Sequence, residues 1–228
     1  MLSTELIVQT CRRLIGIHGV DGVSVRRLGA ALGADATSIY RYFRTKDDLL
    51  LAVTEESIGR TMRHFRRTGD WRDDLRRYAD LVYRVNLADP QVATLAATRV
   101  TGKPNEIASV EVVLGILRGA GFGRADAVRH FHSYIDLVLA FSALGAALAL
   151  LADAEAEANR RVWRDVYTSL PQSQYPNIHA LTPQLNMQLP RKSFADALEL
   201  FLLGLQQQLA SAQRAARTGG ARKRATGW

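Results

Sequence analysis

Between residues 24 and 46 the chain carries Ser24, Arg26, Thr37, Ser38, Tyr40, Arg41, Tyr42 and Lys46. These side chains supply hydroxyls, guanidiniums, an ammonium and two phenols, all hydrogen-bond donors of differing reach. Such groups bind phosphate oxygens and base edges, and a helix N-terminus nearby would add amide donors for a phosphate. The chemistry they predict is recognition of duplex DNA. Bond-making chemistry has no comparable signal: no G-x-S-x-G, H-E-x-x-H, Walker or dinucleotide pattern is present. The single cysteine, Cys11, sits in an amphipathic stretch without an evident basic partner. Catalysis, a metal and a cofactor are therefore not expected.

Local signals place these donors on short helices. Ile7, Cys11, Leu14, Ile15 and His18 fall at helical spacing, and His18-Gly19 stops that first helix. Ser24 is a suitable N-cap for a helix from Val25 to Leu32, ended by Gly33, and Asp35 caps a shorter one through about Tyr42. Thr45 followed by Asp48 reads as a capping box opening a longer helix toward Phe65. Leu28, Leu32, Ile39 and Phe43 are the predicted inward positions, covered by Leu14 and Ile15. A capped helix, a glycine turn and a second short helix have the dimensions of a helix-turn-helix.

No window alternates as a strand would, so the chain reads as all-α. Further helices are expected near 71–87, 89–101, 105–119, 124–152 and 156–170, with a proline-rich loop over 171–192 and a last amphipathic helix over 193–212. The uncharged apolar run Leu137 to Ala152 is about 24 Å as a helix against about 30 Å of bilayer core, and is read as a buried helix. The N-terminus lacks the pattern of a signal peptide, and one cysteine fits a reducing compartment, so a cytoplasmic location away from membranes is expected. The net charge of +8 is uneven: +3 in residues 1–70, zero in 71–213 and +5 in 214–228. A basic first segment before a neutral middle suits an anionic partner at one end only. The last fifteen residues lack any apolar period and are expected to be disordered. His130 and His132, two apart on a helix, point in different directions and do not suggest a metal pair.

The run GVDGVSVRRLGAALGADATSIYRYFRTKDDLL resembles the DNA-binding domain of the TetR family of bacterial transcriptional regulators, through Ser38-Ile39-Tyr40-x-Tyr42-Phe43-x-x-Lys46-Asp47-x-Leu49. The resemblance implies a three-helix reading head over 1–47, a helical ligand-binding and dimerisation domain over 48–213, and a basic tail over 214–228. It implies that the helix at 35–42 enters the major groove, that Tyr40 and Lys46 contact phosphates, and that Thr37, Ser38 and Arg41 lie near bases. Arg26 matches a position that sometimes reads a base; Tyr42 and the capping Ser24 complete the candidate contacts. The segment Tyr175-Pro176-Asn177-Ile178 followed by FADALELFLLGL is similar to the end of such regulators. It implies a homodimer built from helices 124–151 and 193–211, to which Gly145, Ala146, Ala147, Ala149 and the Phe201/Leu205 face would lend close packing. The implied function is a repressor released from a pseudo-palindromic operator by a small, largely apolar effector. Candidate effector contacts are His64, Trp71, Arg99, His132, Asp136 and Phe141. A DNA-binding regulator controlled by a partner protein, or acting without a small ligand, is the alternative.

Overall fold

The computed structural model describes residues 1–185 and 190–225, with side chains over 1–185 and 192–214. Among the described residues all regular structure is helical. Helix α1 (Thr4–His18) begins where the Ser3 hydroxyl accepts from the Leu6 amide at 3.2 Å, and it ends at Gly19 with φ 71°. Its buried face is Ile7, Cys11, Leu14 and Ile15; His18, in the last turn, is exposed instead of joining them. Ser24 caps α2 (Val25–Leu32), Asp35 caps α3 (Ala36–Tyr40), and the reciprocal Thr45/Asp48 box opens α4 (Lys46–His64). Leu28, Ile39 and Phe43 pack with Leu14, Ile15, Leu49, Leu50 and Val53 in one core. This core extends along α4 past residue 47, so α4 shares in the head's packing. Gly29 would cost α2 about 1 kcal/mol in isolation. Here a Cβ would stand 2.6 Å from the Ala34 carbonyl oxygen, so glycine makes room for the turn.

The second core joins α5 (Trp71–Ala88), α7 (Pro104–Ala120), α8 (Arg124–Ala149) and α12 (Pro190–Ala225), with α6 (Pro90–Ala96) between the two cores. Leu75, Tyr78, Val113, Ile116, Leu117, Tyr134, Val138, Phe194, Leu198, Leu202 and Leu205 are buried in it, and Phe65 enters from the end of α4. Tyr134 is fully buried and donates its hydroxyl to the Leu75 carbonyl at 2.6 Å, which satisfies its one polar group. Helix α8 is long and apolar enough to cross a membrane by composition, but Tyr134, Val138 and Ser142 turn one face into this core. The small residues of α8 divide. Gly145 and Ala146 are buried, with Tyr83 and Leu87 of α5 closest to Gly145, whereas Ala147 and Ala149 are exposed. The Leu205 face of α12 is likewise used within the chain, and Leu200 and Leu203 point outward.

Several expected boundaries move. The helix expected over 89–101 ends at Ala96. The proline-rich stretch contains a helix, α11 (Pro176–Leu185), because a proline in the first turn loses no intrahelical bond, and the helix also accommodates Pro183. Before it lie α9 (Asp153–Arg161), a π-helical turn (Val162–Val166) and α10 (Tyr167–Ser169). The tail expected to be disordered is helical through Ala225, as α12 continues into it. Alanine, arginine and lysine favour helix, and extending an existing helix avoids the cost of nucleation. Residues 226–228 lie outside the described residues.

A buried acid holds the α4–α5 turn. Burial alone pushes the Asp74 carboxyl up, but the Thr68 amide (2.5 Å), the Thr68 hydroxyl (2.9 Å) and Arg67 Nε (3.1 Å) outweigh it and hold the carboxyl below its usual range. A depressed folded pKa gives stability that is complete above the unfolded value of about 4 and lost as pH falls through the folded value. Asp74→Asn should therefore cost about 1–3 kcal/mol at pH 7. Urea titrations of both proteins at pH 7 and pH 3 should show the difference shrinking at the lower pH.

Candidate functional site

The donors expected to meet DNA fall into two groups. Arg26, Thr37, Tyr40 and Arg41 are exposed, and their side chains make no hydrogen bond or ion pair among the described residues. Ser24, Ser38, Tyr42 and Lys46 are engaged. Ser24 accepts from the Arg27 amide at 3.2 Å, and the Ser38 hydroxyl donates to Asp35 at 3.1 Å. Tyr42 donates its hydroxyl to the Leu2 carbonyl at 2.8 Å, and the Lys46 ammonium donates to the Val20 carbonyl at 3.1 Å. An ammonium has three donors, so Lys46 can hold the α1–α2 loop and keep two for another acceptor. One of the helix-terminal amides expected here is already used. The Ser38 amide donates to Asp35 at 2.7 Å, and the Ser38 amide and hydroxyl hold the Asp35 carboxyl below its usual value. Arg44, exposed between Tyr42 and Lys46 in the chain, adds a cation that the sequence reading passed over. Cys11 is fully buried, and burial pushes its thiol up to about 11 against the opposing pull of Lys46, so it stays protonated at neutral pH.

A cavity of about 700 Å³ opens among α4, α5, α7, α8 and the segment 96–100. Ile58, Val82, Val110, Phe131, Ile135 and Leu139 give it apolar walls. Of the six candidate effector contacts, Arg99, His132 and Asp136 line it. The other three candidates do not. Trp71 packs edge-on against Phe122 at 6.2 Å, Phe141 lies 5.7 Å from Phe194, and the exposed His64 has Nδ1 2.8 Å from the Arg60 carbonyl. Both aromatics face the core shared with α12. His130 likewise turns away from His132, burying its ring 4.8 Å from Phe122. Two lining residues were missed: Thr61 and Asn86 are 3% and 7% exposed and have no side-chain partner among the described residues. Tyr78, Val82 and Asn86, four apart on α5, carry the signal, since one face passes from phenol to aliphatic to amide. Burial pushes the Tyr78 phenol up, and its hydrogen bond with Ser109 at 2.5 Å only partly offsets this.

Polar contacts tie the cavity wall to α4. Helix α7 starts at Pro104 with no side-chain cap from its own N-cap residue, Lys103. Glu55 of α4 takes that place: its carboxylate accepts from the amides of Asn105 (2.6 Å) and Glu106 (3.3 Å) and from the Thr101 hydroxyl (3.2 Å). One turn on, a Cβ at Gly59 would stand 2.8 Å from the Asn105 side chain, so α4 and α7 approach closely here. Arg99 forms an ion pair with Asp47, next to Lys46. Asp89 receives Arg12 of α1 at 2.8 Å and Arg60 of α4 at 2.5 Å, which joins the head to the α5–α6 junction.

Comparison with known proteins gives two family matches: residues 7–53 match the bacterial regulatory proteins of the tetR family, and residues 66–209 the tetracyclin repressor-like C-terminal domain. The chain is 37% identical over 126 residues to an HTH-type transcriptional regulator of Saccharopolyspora erythraea, a match covering 55% of this chain and 53% of that protein. The chain thus spans about half the length of that relative. It is 31% identical over 165 residues to the tetracycline repressor protein class C of Escherichia coli, covering 70% of this chain and 71% of that one. Among solved structures, Streptomyces coelicolor ActR in complex with actinorhodin has the same fold, with TM-score 0.80 and 22% identity over 92% of this chain and 99% of that one.

The Glu55 cap predicts a local effect. Glu55→Ala leaves the Asn105 and Glu106 amides without their acceptor, and a loss of about 1.4 kcal/mol is a tenfold change in local opening. Hydrogen exchange at these two amides should accelerate at least ~10-fold, with Glu55→Gln restoring part of the protection.

Proposed function

The chain belongs to the tetR family of bacterial regulatory proteins, and from that membership we propose that it is a cytoplasmic, homodimeric repressor released from its operator by a small effector. The observation that carries the reading is the pairing of an exposed donor face on α2–α3 with the cavity of about 700 Å³, both bordered by α4. Tyr40 and Lys46 hold phosphates; Thr37, Ser38 and Arg41 read bases in the major groove, with Arg26 from α2 beside them. Ser24 and Tyr42 fix the head's shape through their internal bonds and border the phosphates. The head comprises residues 1–47 together with the first turns of α4, and the effector and dimerisation domain runs to about 213.

Dimerisation uses α8 and α12. Leu144, Leu148, Leu200 and Leu203 are 55%, 40%, 71% and 51% exposed on these adjacent helices, an apolar surface that a second copy would cover. A two-fold dimer with two heads suits a pseudo-palindromic operator with half-sites about 34–36 Å apart. The effector acts by binding more tightly to the conformation with misplaced heads, a coupling of about 1–3 kcal/mol in typical cases. The cavity favours such an effector over control by a partner protein alone.

The test is a salt-dependent titration against the DNA upstream of the protein's own gene, with scrambled duplex as competitor. Specific binding at least ~10³-fold tighter than to scrambled duplex is expected. Lys46→Ala should weaken binding to both duplexes and lower the salt slope by about 1, while Arg41→Ala should cost about 1–3 kcal/mol on the specific site and relax its sequence preference. Unchanged operator affinity in both variants would remove α3 and the start of α4 from the interface. Leu200→Asp combined with Leu203→Asp should halve the mass seen by light scattering and abolish high-affinity operator binding.

A further inference from the structure

The charges around the cavity are unequal in availability. Three carboxylates line it, Glu106, Glu111 and Asp136, against one guanidinium, Arg99. Arg99 is already paired with Asp47, outside the lining. Glu106 accepts from the amides of Thr101 and Gly102 at 2.9 and 2.6 Å and shares the single proton of the Thr101 hydroxyl with Glu55, so it serves the loop. Glu111 and Asp136 stand at its exposed edge and have no hydrogen-bond or ion-pair partner among the described residues. Asp136 lies one turn from His132 on α8, and the Phe131 ring is part of the same wall. The charge left for an occupant to answer at the mouth is therefore negative.

A second observation marks the cavity as built for an occupant. Thr61 and Asn86 are more than nine-tenths buried, line the cavity, and have no side-chain partner within the chain. A buried amide and hydroxyl without protein partners are satisfied by water or by a ligand. Resting on the reading of this cavity as the effector site, we propose that the effector is a lipophilic organic cation, a flat or polycyclic apolar body bearing an amine or amidinium. Its body fills the space between Ile58, Val82, Val110 and Leu139, where a cavity of about 700 Å³ suits a drug-sized molecule. Its cationic group meets Asp136 and Glu111 and lies near the Phe131 ring, whose face attracts positive charge. Asn86 and Thr61 hydrogen-bond a polar substituent on the body and so fix its orientation. An organic anion of the same size would face the two free carboxylates with only an already paired arginine to receive it.

Two dyes that share a xanthene body but differ in charge, cationic rhodamine 6G and anionic fluorescein, test this by fluorescence anisotropy on the full-length protein. Rhodamine 6G should bind saturably and at least ~10-fold tighter than fluorescein. Glu111→Gln combined with Asp136→Asn should weaken rhodamine 6G by at least ~10-fold and leave fluorescein unchanged or tighter. Val110→Trp, or Ala97→Phe if the first fails to fold by circular dichroism, should abolish rhodamine 6G binding by filling the cavity. Tighter binding of fluorescein that the blocking variant abolishes would overturn the cationic class and leave the cavity reading standing. Rhodamine 6G binding that survives blocking would overturn the site itself. Equal rhodamine 6G affinity in the carboxylate variant, or no rhodamine 6G binding at all, would overturn the inference as stated.

Discussion

Helix α4 is fixed at its two ends by different hydrophobic cores, and the rest of the structure is arranged around that constraint. Leu49, Leu50 and Val53 belong with Ile7, Leu28 and Ile39, while Phe65 at the far end packs edge-on against Tyr78, 5.1 Å between ring centroids. Nineteen helical residues span about 28 Å, and no proline interrupts them. Each fully buried Leu or Phe side chain is worth about 1.5–3 kcal/mol, whereas exposed ion pairs contribute about 0–1 kcal/mol. The cores therefore set where α4 lies, and the partly buried ion pairs at Asp89 and the pair at Asp47 add to that hold. Because packed cores move between discrete arrangements, a shift at one end of such a rod is delivered to the other.

The side of α4 facing the cavity has a different kind of contact. Helix α7 begins with a proline and a lysine that provides no cap, leaving amide donors that burial would make costly. Glu55 satisfies them from another helix, and Gly59 lets the two backbones come close enough for it to do so. The α7 residues that follow, among them Ile107, Val110 and Glu111, form the cavity wall. An occupant that moves this wall strains the Glu55 contacts directly. In the proposed repressor, that strain is the differential interaction an effector needs in order to favour one conformation over another.

Legibility in the sequence followed the range of the interactions concerned. The elements of the head were readable because each is bounded by a local signal: Ser24, Gly33, Asp35 and the Thr45/Asp48 box act within three or four residues of themselves. The body was legible as helices but not as a site. Trp71 and Phe141 have the same helical spacing as true lining residues, and only the position of Phe122 and Phe194 assigns them to core. The same limit applies to the small residues of α8, where Gly145 serves α5 and Ala147 faces outward. Proline count suggested a loop where a first-turn proline is compatible with helix, and composition suggested disorder where α12 simply continues. Lys46 and Tyr42 were legible as donors, but not the carbonyls of Val20 and Leu2 that hold them, since those partners are 26 and 40 residues distant.

The central claim, that contacts on α4 set the position of the reading heads, is tested most directly by measuring the head-to-head distance in the proposed dimer. Cys11 is buried and protonated, so a spin label on Gln9→Cys, at an exposed position of α1, reports from one engineered site in each copy. Pulsed electron-spin distance measurements on the free protein should give one distribution with Glu55 in place. A broader or displaced distribution is expected with Glu55→Ala, and both should converge on one shared distribution on operator DNA, where the half-site spacing fixes the heads. Identical distributions with and without the Glu55 carboxylate would contradict the account and place control of the heads outside the α4–α7 contact.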